Sequence, residues 1–199
     1  MNKKTLIINL MGGPGCGKST MAAGLFYKLK MRGVNCELIT EHAKDLTWEK
    51  NWTALGNQVL TTATQIYKQE RVENQVEVLI TDSPMLLGLF YWNDKNENKS
   101  KYFKKLLFEI FNEKRNLNVF IERKKKYNPI GRNQTEDESK LIDEENIKLL
   151  EENNLQYIKV PGTVDGTDEL VPLDSVRYEI KKALDNLRLL MKEKGVNNK

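Results

Sequence analysis

Five short apolar runs, rich in Ile, Val and Leu, recur along the chain between longer segments with helical spacing. The runs are residues 5–11, 36–40, 76–81, 118–122 and 156–160. Strands that are apolar along their whole length are typical of a parallel sheet covered on both faces. Their alternation with helical segments predicts an α/β fold, a three-layer sandwich with a five-stranded, mostly parallel sheet and helices on both faces.

Helices are predicted at residues 18–32, 53–73, 103–114, 135–152 and about 171–194. The second carries apolar residues at helical spacing, namely Leu55, Val59, Ala63, Ile66 and Tyr67. The fourth starts with Thr135 as a candidate N-cap and three acidic residues in its first turn, which suits the helix dipole. A length of 199 residues is typical of one domain, and we expect residues 1–199 to form one.

The first strand and the first helix are joined by GGPGCGKS, residues 12–19, which fits the pattern G-x-x-x-x-G-K-[ST] in full. Glycines let the backbone curl around phosphate oxygens so that successive N–H groups point at the anion. We therefore expect ATP to be bound by Gly13, Pro14, Gly15, Cys16, Gly17, Lys18, Ser19 and Thr20.

Within this loop, Lys18 is predicted to neutralise the β- and γ-phosphates and Ser19 to ligate Mg²⁺. Cys16 occupies a variable position of the pattern and is expected to be a small packing residue. The competing interpretation is a glycine-rich turn that matches the pattern by chance.

Two acidic residues stand directly after predicted strands, Glu41 after residues 36–40 and Asp82 after residues 76–81. A carboxylate at either place suits Mg²⁺ binding or the acceptance of a proton from an attacking hydroxyl. Asp82 fits the metal partner better, because an apolar strand runs straight into it, and Glu41 fits the base. Their division of roles stays open, and helix capping is the competing explanation for both.

A basic segment lies between the fourth strand and the following helix. Residues 122–135, ERKKKYNPIGRNQT, hold five basic residues and one acidic residue, whereas residues 135–152 hold eight acidic and two basic ones. Placed beside the phosphate loop, residues 123–135 are predicted to form a lid, with Arg123 and Arg132 stabilising charge on the transferring phosphoryl group. The alternative is a solvated run of charges.

The composition adds limits rather than a function. The chain has 32 basic and 28 acidic residues, a formal net charge of +4, and two cysteines. Two cysteines provide no disulfide framework, and no apolar run approaches the roughly 20 residues that span a bilayer. We expect a cytoplasmic protein with no membrane partner, and the sequence leaves its oligomeric state open.

These motifs together resemble the small P-loop kinases encoded by phages. The resemblance rests on GGPGCGKST, residues 12–20; AAGLFY, residues 22–27; TEHAKDL, residues 40–46; TDSP, residues 81–84; and the lid pattern Arg123, Tyr127, Gly131, Arg132 and Gln134. The chain most resembles the phage kinases of 5-hydroxymethyluracil in DNA, and more distantly nicotinamide riboside kinases and polynucleotide kinases.

The resemblance implies ATP and Mg²⁺ as cofactors and a hydroxyl acceptor, the 5-hydroxymethyl group of a modified base in phage DNA, with the host cytoplasm as the location. A kinase of a free nucleoside or nucleoside monophosphate is the alternative. An ATPase without a phosphoryl acceptor is a further alternative. A motor-type ATPase of the AAA class would need a second, helical domain, for which 199 residues leave little room. A GTPase is disfavoured, because the nearest match to N-K-x-D, Asn98-Lys99-Ser100-Lys101, lacks the Asp.

The phosphate loop gives the first test. Lys18→Ala removes the principal protein counter-ion of the phosphates, so we expect phosphoryl transfer to be abolished. The measurement is turnover with γ-labelled ATP, and near-normal turnover by the variant would contradict the assignment of the loop.

Overall fold

A parallel five-stranded sheet forms the centre of the protein. The computed structural model describes residues 4–124, 127–130 and 134–162. Its strands are β1 (Leu6–Met11), β2 (Cys36–Ile39), β3 (Val78–Thr81), β4 (Arg115–Arg123) and β5 (Tyr157–Gly162). They lie in the order β2-β3-β1-β4-β5, and every neighbouring pair is parallel. The predicted α/β fold is confirmed, with a sheet that is parallel throughout.

Helices connect the strands. They are α1 (Lys18–Met31), α2 (His42–Trp48), α3 (Trp52–Gly56), α4 (Gln58–Glu70), a 3₁₀ helix (Met85–Leu89), α5 (Glu97–Asn112) and α6 (Glu136–Glu152). α6 begins where the sequence predicts, because Thr135 and Glu138 form a reciprocal capping box. The helix predicted at 171–194 lies outside the described residues.

Both faces of the sheet are covered, as the uniformly apolar strands require. On one face Ala22 and Leu25 of α1 pack against Ile8 and Leu10 of β1. On the other face, Leu87 of the 3₁₀ helix and Leu150 of α6 pack against Met11 and Phe120. The result is the three-layer arrangement that the sequence predicts.

The helix predicted at residues 53–73 is two helices, and much of its apolar stripe is exposed. Asn57 separates α3 from α4, and its side chain caps α4 by accepting the N–H of Leu60. Val59 and Tyr67 are 54% and 67% exposed. The buried residues of α4 are polar, Thr61, Thr62, Gln65 and Gln69. The helical period was right, but only part of the apolar stripe packs against the core, where Ile66 contacts it.

The strand order brings the residues singled out in the sequence to one edge of the sheet. β1 lies between β3 and β4, so the loop after β1 has Asp82 after β3 on one side and Arg123 at the end of β4 on the other. Glu41 follows β2, one strand further out. The crevice beyond the carboxyl ends of parallel strands is where ligands bind in open α/β sheets.

Close packing against the loop after β1 gives a test of the fold. A Cβ on Gly162, at the end of β5, would lie 2.2 Å from the backbone oxygen of Cys16 and 2.9 Å from that of Glu122. We expect Gly162→Ala to lower the free energy of unfolding by about 1–3 kcal/mol, measured by chemical denaturation, because backbone cannot move aside as a flexible side chain does.

The matched control is Gly56→Ala, since a Cβ at Gly56 would have nothing within 4 Å. Its effect should stay within about 0.5 kcal/mol. Equal free energies of unfolding for the two variants would show that the close backbone contact at Gly162 does not exclude a side chain.

Candidate active site

The phosphate loop runs from the end of β1 to the first turn of α1. Gly15 and Gly17 adopt φ angles of 82° and 113°, a region that disfavours residues with a side chain. Gly17 is the N-cap of α1, so the positive end of this helix and its first free N–H groups face the loop. This is the arrangement that binds a phosphate group.

The side chain of Lys18 contacts the backbone of the phosphate loop. Its ammonium group donates to the backbone oxygens of Gly12 at 2.6 Å and Gly13 at 3.0 Å. Ser19 and Thr20 follow in the first turn of α1, and both line the adjacent cavity. The side chain of Cys16 is fully buried, which fits its expected packing role.

Asp82 is a buried carboxylate, only 4% exposed, whose Oδ1 has no hydrogen-bond partner. Because a buried acceptor without a partner is costly, this carboxylate is a candidate ligand for a bound group. Carboxylate and hydroxyl oxygens suit Mg²⁺, which takes one or two protein oxygens and completes its shell with phosphate and water. Asp82 and Ser19 therefore fit a magnesium ion held beside a nucleotide.

Glu41 lies at the wall of the same cavity, half-buried and at the N-cap of α2. Tyr91, which sequence reasoning missed, also lines this wall. Desolvation and then the nearby charge of Glu41 raise the pKa of Tyr91 above its usual range, so the phenol is protonated at neutral pH. Glu41 lines the same cavity as the phosphate loop, and its role as a base stays a prediction.

A cavity of about 550 Å³ joins the phosphate loop to Glu41. The polar face of α4 also lines it, which accounts for three of the four polar residues that this helix buries. The residues of α4 that line it are Gln58, Thr61, Thr62 and Gln65. A Cβ on Gly88 would lie 2.5 Å from Oγ1 of Thr62, so glycine at this position lets the 3₁₀ helix approach α4.

Arg123 does not project freely from the end of β4. Its guanidinium bonds to the carboxylate of Asp143 in α6 and to the backbone oxygens of Pro14 and Ser139. Its predicted role on the transferring phosphoryl group is untested by these contacts. Asp143 is a further residue that sequence reasoning missed, because it is one of eight acids in an acidic helix.

The lid segment contacts the phosphate loop in its described part. The ring of Tyr127 lies so close to Gly15 that a Cβ there would be 3.0 Å from it, and its hydroxyl donates to the backbone oxygen of Gln134. Ile130 and Gln134 line the cavity. Arg132 lies outside the described residues, so its predicted role stays a prediction.

Comparisons with known proteins agree with this fold. A family model described as an AAA domain (AAA_28) matches residues 7–166. The structure is similar to NadR in complex with NR, with a TM-score of 0.56 and 18% identity over 83% of this chain and 48% of that one. The chain thus spans about half the length of NadR. No curated protein matches the chain significantly.

Two further solved structures match over nearly their whole length. Deoxyadenosine kinase from M. mycoides has a TM-score of 0.55 and 13% identity, covering 88% of this chain and 99% of that one. Thymidylate kinase from Ehrlichia chaffeensis has a TM-score of 0.54 and 15% identity, covering 92% and 100%.

The fold is therefore one that the chain shares with deoxyadenosine kinase and thymidylate kinase, and the predicted α/β fold is confirmed. The chain belongs to the AAA domain family AAA_28. None of the helices that the structure describes is long and apolar enough to cross a membrane.

The unpartnered carboxylate gives a test of the metal site. Asp82→Asn removes its charge and replaces one oxygen with nitrogen, so we expect turnover at fixed Mg²⁺ to fall by about 10–100-fold. The melting temperature should not fall, because the substitution removes a buried charge that lacks a protein partner. The measurements are a Mg²⁺ titration of turnover and thermal unfolding.

The matched control is Asp137→Asn, which changes an aspartate whose side chain is 95% exposed. It should leave both quantities unchanged. If Asp82→Asn keeps the wild-type Mg²⁺ dependence, the predicted metal role of Asp82 is wrong.

Proposed function

We propose that the protein is a kinase that moves the γ-phosphoryl group of ATP to a hydroxyl group on a nucleoside-like acceptor. The observation that carries this proposal is one cavity that is lined by the phosphate loop and also by Glu41 and the polar face of α4. An ATPase without a phosphoryl acceptor would need only the part of the cavity at the phosphate loop. A volume of about 550 Å³ lies within the usual range for small-molecule sites, about 300–1,000 Å³.

In the proposed reaction, an acceptor oxygen attacks the γ-phosphorus and the bond to the β–γ bridging oxygen breaks, leaving ADP. Glu41 accepts the proton of the acceptor hydroxyl. Lys18 offsets phosphate charge, and Ser19 and Asp82 would hold Mg²⁺, which would supply charge neutralisation on the leaving phosphate. Arg132 adds positive charge from the lid.

For the acceptor, we propose the 5-hydroxymethyl group of hydroxymethyluracil in phage DNA. The sequence resemblance to kinases of that base supports this choice, and so do two tryptophans at the acceptor side. Trp48 lines the cavity, and Trp48 and Trp52 are 65% and 56% exposed. Exposed aromatic faces beside a site suit stacking on the bases of a nucleic acid strand. The base is reached in the major groove or flipped into the cavity.

A free nucleoside or nucleoside monophosphate is the second candidate. Lys18 and Lys44 are the basic side chains among the described residues that line the cavity, and Lys18 belongs to the phosphate loop. The acceptor end therefore offers Lys44 as its cation beside the amide and hydroxyl groups of α4. This lining favours an uncharged nucleoside unit over a monophosphate.

The test uses γ-labelled ATP, Mg²⁺ and a panel of acceptors: nucleosides including 5-hydroxymethyldeoxyuridine, nucleoside monophosphates, plain DNA and DNA containing hydroxymethyluracil. We expect label on the hydroxymethyluracil DNA, with turnover that falls steeply as salt rises because phosphate contacts release counterions. Label on a free nucleoside or monophosphate alone would overturn the DNA acceptor and keep the kinase. Release of free phosphate without labelled acceptor would favour an ATPase.

The same assay tests the base. Glu41→Gln should lower transfer by about 10²–10⁴-fold while leaving ATP binding intact, since the amide cannot take the proton. Glu49→Gln, on the exposed C-cap of α2, is the matched control and should transfer normally. Unchanged transfer by Glu41→Gln would remove Glu41 from the mechanism.

A further inference from the structure

α6 packs directly against the outer wall of the phosphate loop. A Cβ on Gly13 would lie 2.2 Å from the backbone oxygen of Ser139 and 3.0 Å from Oδ1 of Asp143. The helix can approach the loop this closely because Gly13 has no side chain. The contact places Asp143 against the loop backbone rather than in solvent, and its side chain is 15% exposed.

Both carboxylate oxygens of Asp143 are engaged there. Oδ1 accepts the backbone N–H of Gly13. Oδ2 accepts from Nε of Arg123 at 2.9 Å and lies 2.8 Å from its Nη2. The pair is well shielded, since the Arg123 side chain is 11% exposed.

Arg123 completes a second connection to the loop. Its Nη1 donates to the backbone oxygen of Pro14 at 2.9 Å, and its Nη2 to that of Ser139 at 3.4 Å. One ion pair therefore holds a donor and an acceptor of consecutive loop residues, Gly13 and Pro14. The free N–H groups at the start of α1 lie further along the chain and are not used by this pair.

We infer that Asp143 is a positioning residue of the phosphate loop, and that with Arg123 it forms a brace holding the loop in its phosphate-binding shape. A glycine-rich loop loses much conformational freedom when it is ordered, so a loop fixed in advance binds its ligand more tightly. Arg123 ends β4 immediately before the lid segment and α6 begins after it. The brace thus also ties both ends of the lid segment to the loop. This inference rests on the proposed binding of ATP.

The experiment measures binding of a non-hydrolysable ATP analogue with Mg²⁺ by calorimetry, which needs no acceptor. Asp143→Asn places an amide N–H₂ or a neutral oxygen where Arg123 requires a carboxylate. We expect the affinity for the analogue to fall by about 10–100-fold, as for other residues that orient a site through a partner. Asp137→Asn on the same helix is the matched control and should bind as the wild type does.

A double-substitution cycle separates the brace from direct catalysis by Arg123. If the two side chains act as one brace, Arg123→Gln combined with Asp143→Asn binds the analogue no more weakly than the worse single variant. In turnover assays, KM for ATP should rise in all three variants, while kcat of Asp143→Asn at saturating ATP stays within about threefold of wild type. Independent, multiplicative effects, or a loss confined to kcat, would overturn the brace.

A variant that keeps the buried positive charge guards against loss of folding. Arg123→Lys retains a cation beside Asp143, but its single ammonium group cannot replace the guanidinium contacts to both Asp143 and Pro14. It should melt near the wild-type temperature and show the same loss of affinity. A wild type that binds no analogue overturns the proposed function and this inference with it, whereas folded variants that bind as tightly as wild type overturn the inference alone.

Discussion

The site depends on the conformation of a glycine-rich loop, which has few side chains of its own to stabilise it. Its shape comes from backbone contacts with neighbours that approach closely. Gly13 admits α6, Gly15 admits the ring of Tyr127, and Gly162 lets the end of β5 meet the backbone of Cys16. A Cβ would lie 2.2 Å from backbone atoms at Gly13 and at Gly162, and 3.0 Å from the ring at Gly15. The loop is consequently held from outside, and the amide groups that open α1 remain available for an anion.

A second constraint concerns the side of α4 that lines the cavity. α4 turns Thr61, Thr62 and Gln65 inward and leaves Val59 and Tyr67 exposed. A helix packed only against a hydrophobic core would instead bury its apolar residues and expose its polar ones. Here the inner side of the helix borders a cavity, where hydroxyl and amide groups have room for a ligand. The buried carboxylate of Asp82 also has an oxygen without a hydrogen-bond partner, which fits its predicted role as a ligand of a cation.

A feature of this protein could be predicted from the sequence when it depends on interactions between residues that are close along the chain. Strands and most helices could be read from the sequence because their apolar spacing is local, and the capping box at Thr135 and Glu138 marks the start of α6 within four residues. The break at Asn57 was missed because the helical period continues across it. Asp143 was hidden among the acids of α6, and only its distance from Gly13 and Arg123 distinguishes it. The close fit of Gly13 against Ser139 of the same helix is likewise a tertiary contact.

The sequence alone determined the α/β fold, the phosphate loop with Lys18 and Ser19, and the acidic residues at the ends of β2 and β3. These depend on residue type and spacing within a strand–loop–helix unit, where neighbours in sequence are neighbours in space. Only the tertiary structure decided which face of α4 lines the cavity and which of the many charges meet the loop. Those outcomes are set by the strand order, which brings residues more than 100 positions apart into contact, and no local pattern records that order.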